Sequence, residues 1–370
     1  MFAPADKTSA DTLISKHGMK MVFPLDSVLG IDNLPFKITP NMMLDIARRA
    51  VNAHSYEELQ RAYLDDWNIT ISDDQIRMVT NYIGKLVYEN DCAERDKALS
   101  LLNSGGSKAA PNPSGVLYVE MDGAMFNTRT KGENTWKENK LGVVFSSKNI
   151  VSTKTRKGED SHKILEREYI SFPGKSDIFL EHLYTVALRN GMNSHKTVVI
   201  LSDGAPWIKN FKEQYCNGLD AVHILDYSHA KENIYKFAEA FIREPEAKKA
   251  WADEIRELVK HGKVDDAIRK VEPYKDKRKP GIPNLYSYFS NNRNCMNYPE
   301  YIKRGFFIGS GVIESGHRST MQERLKLPGM RWDIESAKYV LAAKMKYDSG
   351  RWNSYVVPLL FKHLGLRRRE

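Results

Sequence analysis

The chain is 370 residues long, 41% hydrophobic and 28% charged, with a formal net charge of +9. That composition excludes a disordered or membrane-embedded chain, and three scattered cysteines (Cys92, Cys216, Cys295) without a CxxC pair exclude a disulfide framework and a cysteine zinc site. The length leaves room for roughly two or three domains, and the basic balance favours a polyanionic partner such as nucleic acid.

The first stretch, to about Lys20, is polar and irregular, and Val22-Phe23-Pro24-Leu25-Asp26 with Leu29-Gly30-Ile31 reads as an arm or short strands. From Pro40 the pattern turns helical, with Leu44, Ala47 and Val51 on one face. Ser55-Tyr56-Glu57-Glu58 is a capping-box sequence that opens a helix with Leu59, Ala62 and Tyr63 inward. Ser72-Asp73-Asp74-Gln75 predicts a second capping box, followed by Ile76, Val79, Ile83 and Val87 at helical spacing. Two short capped helices around a tight turn suit a helix-turn-helix and equally suit any small helical bundle. If this pair meets DNA, Arg77 and Lys85 are its cations, while Asp73 and Asp74 oppose phosphate.

Asn103 to Ser114 is small, polar and proline-containing, which marks a linker and a domain boundary. Beyond it strands and helices alternate. Val116–Met121 reads as a strand ending at Asp122-Gly123, Leu141–Ser146 as a second and Arg167–Ser171 as a third. A helix is predicted over Asp177–Arg189, a wholly apolar strand over Thr197–Leu201 ending at Ser202-Asp203-Gly204, and a short helix over Trp207–Tyr215. Ala221–Leu225 is a further strand, ending at Asp226-Tyr227-Ser228-His229. Short apolar strands between helices imply a sheet covered on both faces. Ala230 to about Lys275 is helical and highly charged, and reads as an inserted lobe. Glu335–Tyr347 closes the series as a helix that stops near Gly350, before a basic tail at Arg367-Arg368-Arg369.

Ile308-Gly309-Ser310-Gly311-Val312-Ile313-Glu314-Ser315-Gly316-His317-Arg318 is a glycine-rich turn that delivers one glutamate into a helix start. Ser310 is placed to accept the first free amides, and His317 and Arg318 fall beside Glu314. A carboxylate flanked by cations reads either as a solvated ion pair or as a metal-ligand acid beside a phosphate-binding face. Asp122, Asp203 and Asp226 bear on the choice, because groups at the carboxyl ends of strands collect on one sheet edge. An Asp-Gly pair after a strand also suits a plain tight turn. Together with Glu314, two such pairs favour a carboxylate cluster, which a hard divalent cation would neutralise.

These residues resemble a known family. Asp122, Asp203 and Glu314 resemble the acidic triad of DDE transposases with an RNase H-like core, and Asp226-Tyr227-Ser228-His229 resembles the DxxH (or CxxH) signature of the Mutator-like branch and its bacterial insertion-sequence relatives. Asn292-Arg293, Met296, Tyr298, Gly305, Ile308-Gly309-Ser310-Gly311 with Glu314-Ser315, and Arg324-Leu325-Lys326 with Gly329-Met330-Arg331-Trp332 are similar to ISKra-type bacterial transposases. So are Pro24-Leu25-Asp26, Leu29-Gly30 and Ser55-Tyr56, and the resemblance runs from about residue 23 to about residue 355. Relatives often carry a cysteine-rich, zinc-ribbon-like segment before the Pro-Leu-Asp element. Fewer than two dozen residues precede it here and none is cysteine, so terminal-repeat recognition is expected to be incomplete or to lie elsewhere.

The resemblance implies an α/β protein: an RNase H-like catalytic core interrupted by an all-helical insertion, with an N-terminal helical, helix-turn-helix-like domain. The expected division is an arm and helical DNA-binding domain over 1–102, a linker over 103–114, core over 115–229, helical insertion over 230–304, and the last of the core with the tail over 305–370. The implied activity is strand cleavage and strand transfer at the ends of a mobile element. Asp122, Asp203 and Glu314 would hold two Mg²⁺ or Mn²⁺ ions about 3.5–4 Å apart, with Asp226 and His229 near them. Arg77, Lys85, Arg293, His317, Arg318, Arg324, Lys326, Arg331 and Trp332 are the expected contacts to double-stranded DNA. Trp207 reads as a base-stacking or a core tryptophan. A dimer is expected by analogy, in the cytoplasm at the nucleoid, with no membrane partner. Two rival readings keep the fold: a non-catalytic DNA-binding protein of transposase descent, and an RNase H-like nuclease without joining activity.

Overall fold

The computed structural model describes residues 12–15, 18–21, 31–105, 113–130, 135–154, 158 and 160–366. The Pro24-Leu25-Asp26 element, residues 106–112 of the predicted linker and the 367–369 arginines lie outside the described residues. Where the sequence reads as irregular, β1 (Thr12–Ser15) and β2 (Gly18–Met21) pair as a hairpin, each too short to show an alternation. Helix α1 (Pro40–Ala50) follows, capped by Thr39, then α2 (Tyr56–Trp67), where Ser55 Oγ accepts from the Glu58 N–H. The capping box at Ser72 and Gln75 forms in both directions and opens α3 (Asp73–Asn103). This helix is not short: it runs 31 residues, because no glycine or proline stands between Gly84 and Gly105 to stop it. It ends where the linker composition begins.

β3 (Val116–Asn127) pairs antiparallel with β4 (Trp136–Ser146), so both strands are longer than their apolar cores suggest, and Asp122 lies within β3 instead of at its end. β5 (Ile150–Lys154) and β6 (Asp160–Ile164) form a side hairpin that the sequence did not announce. β7 (Glu168–Phe172) joins β4 antiparallel, and α4 (Ser176–Arg189) covers that face. β8 (Thr197–Ser202), α5 (Lys209–Tyr215) and β9 (Ala221–Leu225) come next. β8 pairs parallel with β3 and β9 parallel with β8, giving a five-stranded mixed sheet in the order β7-β4-β3-β8-β9. Every residue of β8 is buried, as a strand covered on both faces requires. The protein is a mixed α/β fold.

A series of helices follows β9: α6 (Tyr227–Phe241), α7 (Pro245–Lys260), α8 (Val264–Val271), α9 (Leu285–Asn292) and α10 (Tyr298–Lys303). Phe237 stacks on Trp251 inside it, and its apolar core runs into the face of the sheet through Tyr118 and Ile224. The chain returns through α11 (Gly311–His317), continues as a π-helix over Arg318–Leu325, and ends in α12 (Ile334–Asp348) and α13 (Val357–His363).

The N-terminal helices do not close on themselves. Ile76, Val79, Ile83 and Val87 of α3 share one core with Met321, Leu325, Val340 and Leu341 of the C-terminal segment. Each such side chain contributes about 1.5–3 kcal/mol on burial, so both ends of the chain hold the same unit together. Asp91 and Lys346, both buried, pair at 2.7 Å across this seam, and Tyr355 donates to Asp91 at 2.7 Å. The helices approach closely at Gly84, where an added Cβ would meet the Tyr339 carbonyl oxygen at 2.2 Å. A backbone atom cannot step aside as a flexible side chain can. Gly84→Ala is therefore expected to cost about 1–3 kcal/mol of stability, read as a lower urea midpoint with the slope unchanged.

Candidate metal centre

The parallel pairing of three strands sets the site. Met121 of β3 is opposite Ser202 of β8, and Ser202 is opposite Leu225 of β9. The next residue in each strand direction is Asp122, Asp203 and Asp226. Three aspartates thus stand level at one edge, with neighbouring strands about 4.8 Å apart. Asp203 serves a turn as well: its Oδ1 accepts from the Ala205 N–H at 3.0 Å, and Gly204 takes a φ of +88° that side-chain-bearing residues rarely adopt.

Asp226 is 1% exposed and accepts hydrogen bonds from three directions. Its Oδ1 takes the Ser228 N–H at 2.6 Å, capping α6, and its Oδ2 takes the Ser310 N–H at 3.2 Å and the Ser310 hydroxyl. Ser310 therefore does not cap α11 with its side chain, as the sequence suggested; its hydroxyl is committed to Asp226. Tyr227 N–H donates to the Ile308 carbonyl at 2.8 Å, which ties the same two segments again. This join delivers Glu314, exposed in the first turn or so of α11, beside His229, one turn into α6. The ligand atoms of Asp226, His229 and Glu314 all lie within 4.8 Å of one another, the one such group among the described residues. Two carboxylates and an imidazole could together hold a divalent cation that accepts both oxygen and nitrogen ligands.

Asp122 and Asp203 stand next to this group but outside it. Asp122 Oδ2 lies 3.0 Å from His317 Nε2, so His317 turns towards Asp122 and not towards Glu314. The contact is an ion-pair approach without the alignment of a straight hydrogen bond. Burial opposes ionisation of Asp122, yet the His317 ring, the Gly123 N–H and the His229 ring outweigh it and hold this carboxyl below its usual value. Asp203 is not paired with His317: burial, with the negative Asp122 and Glu138, pushes its carboxyl up, against the Ala205 N–H and the His229 ring.

The predicted DNA contacts divide. Arg318, Lys326 and Arg331 are exposed near the end of α11 and beyond. Arg77 and Lys85 are exposed on α3, where Asp74 and Glu89 pair with them, and Arg293 pairs with Asp265 at 2.6 Å. Arg324 and Trp332 are instead buried, at 2% and 9% exposure, since the π-helix turns Arg324 into the helical core. Trp207 is half-buried against the core, edge-on to Phe179 at 5.7 Å, with the Lys140 ammonium 5.8 Å from its ring.

A further acid, Glu120, is not singled out by the local sequence pattern. It lies two residues before Asp122 in β3, hence on the same face, and is fully buried. Its Oε2 accepts the Ile313 N–H at 2.9 Å, while Oε1 has no partner among the described residues. An acid at an inward position of an apolar strand is the signal that would have found it. Burial first, then the charges of Asp226 and Glu314, push its carboxyl to about 8 despite the Ile313 amide. The folded chain therefore holds a proton that the unfolded chain releases between 4.5 and about 8, and metal-free stability falls as pH rises through that window. Glu120→Gln is expected to flatten this part of the profile, measured as urea midpoints in chelator at about pH 5 and about pH 8. An unchanged slope would mean that Glu120 ionises normally.

Among the described residues no helix is long and apolar enough to cross a membrane. Among curated proteins none matches this sequence. A family model described as "Uncharacterised protein family (UPF0236)" matches residues 13–354, spanning the strand-edge aspartates, the helical lobe and Glu314. The chain belongs to that family, UPF0236.

Proposed function

We propose that the chain is a metal-dependent DNA strand-cleaving and strand-transferring enzyme, a transposase of the DDE type. The observation that carries this reading is the Asp226, His229 and Glu314 group, with ligand atoms within 4.8 Å, beside Asp122 and Asp203 at one sheet edge. A sheet of three antiparallel strands continued by two parallel ones, with acids at adjacent strand ends and a helical lobe before the last glutamate, supports an RNase H-like core. The exposed basic run after α11 supports a polyanionic substrate, and the +9 charge agrees with it.

In this reading Asp226, His229 and Glu314 hold one divalent cation, and Asp122 with Asp203 borders the second position. Bound there, such ions activate water or a 3′-hydroxyl and stabilise the leaving oxygen in phosphoryl transfer. The protein groups do the rest. Glu120 fixes the start of α11 through Ile313, His317 holds Asp122 in place, and Arg318, Lys326 and Arg331 orient phosphates in line with the acids. A dimer on element ends and target DNA is part of the same proposal.

The Asp122–His317 contact favours a second reading, DNA binding without catalysis, because it engages one of the expected ligand acids. Incubation with duplex DNA from the chain's own genomic flanks and each divalent metal separates the readings. Nicking with Mg²⁺ or Mn²⁺ is expected, with Glu314→Gln and Asp226→Asn slower by about 100-fold or more while salt-sensitive binding persists. Full activity in Asp203→Asn would count against the cluster. Nicking without joined products would point to a nuclease, and binding without nicking to the second reading.

A further inference from the structure

A second space lies apart from the acid cluster. It is a groove of 1110 Å³ between the helical region and the segment after the π-helix. Three helix starts border it: Ser55 and Tyr56 of α2, Asp73 and Arg77 of α3, and Asp333 of α12. Each belongs to a helix of 12 residues or more, and side-chain caps at Ser55, Ser72 and Asp333 take one first-turn amide of each, so three positive helix ends border one space. Acids in those first turns offset part of this field, and they are partly engaged: Asp74 holds Arg77, and Asp333 caps Ser336.

Arg324 lies along this cleft, 2% exposed, with its guanidinium carbon 5.1 Å from the Tyr56 ring centre and 4.8 Å from that of Trp332. Among the described residues no carboxylate pairs with it, its Nε and Nη2 have no hydrogen-bond partner, and neither has Trp332 Nε1. Nε and Nη2 form one edge of the guanidinium fork, the edge that meets two oxygens of a planar or tetrahedral anion at once. A buried cation with that edge empty is costly unless something negative arrives. Burial accordingly lowers the proton affinity of the guanidinium, against the opposing pull of Tyr56. Arg331 and Arg129 stand exposed at the rim, joined by Arg129 Nε to the Arg331 carbonyl at 3.2 Å.

We propose that this cleft is a phosphate-binding site, in which two phosphate oxygens accept from Arg324 Nε and Nη2 and a third contact comes from Trp332 Nε1. The ligand class is a phosphate monoester or diester, from a free nucleotide or from a nucleic-acid backbone. Only the backbone case rests on the DNA reading; the site itself needs no metal.

The test uses the full chain in chelator, which separates this site from the metal centre. Melting temperature is followed in inorganic phosphate, a nucleoside monophosphate and a short single-stranded oligonucleotide, each against chloride at matched ionic strength. Wild-type protein is expected to melt higher with at least one probe. Arg324→Met is expected to bind that probe at least about tenfold more weakly, yet to melt no lower than wild type in chloride, since it removes an unpaired buried cation. Trp332→Phe keeps the ring and loses the N–H, and its response should fall between the two. A response to the small anions alone assigns a free nucleotide, and a response to the oligonucleotide assigns a backbone phosphate. No phosphate-specific rise in the wild type, or an undiminished rise in Arg324→Met, overturns the proposal. Should Arg324→Met fail to fold, an undiminished rise in Trp332→Phe does so.

Discussion

The carboxylate of Asp226 holds the site together. A carboxyl at 1% exposure is tolerated only when it finds hydrogen-bond donors, and the Ser228 amide with the Ser310 amide and hydroxyl supply three, which leaves acceptor capacity for a further bond. Those donors come from two segments far apart in the chain, so satisfying one charge fixes the end of β9, the start of α6 and the turn before α11 to one another. The position of Glu314 follows from that join, because it lies on the first helical residues after Ser310. Without Asp226 the turn would lose its anchor and the late glutamate its place beside His229.

The same edge concentrates negative charge. Glu120, Asp122, Asp203, Asp226 and Glu314 gather there, and His229 and His317 are the basic groups placed against them. The protein resolves the repulsion unevenly. Asp122 is given His317 and stays ionised, Glu120 keeps its proton, and Asp203 is held partway by its turn amide. A cation in this space would favour ionisation of every acid around it. The raised carboxyls are thus the electrostatic counterpart of the ligand geometry, two views of one arrangement.

Much of this was legible in the residues themselves. Apolar strands ending at Asp203 and Asp226 announced a sheet covered on both faces with acids along one edge, since a strand buried on both faces leaves little else for its pattern to mean. The Ser72 box and the charged helical lobe were equally plain. What the sequence hid depends on contacts between distant segments. Ser310 resembled a helix cap because a cap is the local use of serine there, whereas its partner lies 84 residues away. Arg324 resembled a surface cation because its neighbours are basic, and only the π-helix, with its different angular step, turns it inward. Asp122 looked terminal because the apolar run stops there, although hydrogen bonding carries β3 on to Asn127. Short-range pattern thus found the acids, and long-range packing decided which of them meet.

The chain from Gly311 to Leu325 is helical throughout, first α and then π, and it connects two environments. At its start Ile313 bonds to Glu120 and Glu314 faces His229; at its end Met321 and Leu325 join the core built by α1, α3 and α12. β3 makes a parallel connection. It carries Glu120 and Asp122, and beyond Asn127 its chain holds Trp332 by paired backbone bonds, Trp332 N–H to Asn127 at 3.1 Å and Arg129 N–H to Trp332 at 2.8 Å. The acid edge and the Arg324 cleft are therefore framed by the same two pieces of backbone, both in regular hydrogen-bonded structure. Loops would let the two spaces drift apart; a strand and a helix hold their separation constant. The N-terminal helices complete the cleft, and because they share a core with α12 they belong to this frame and do not hang from the linker.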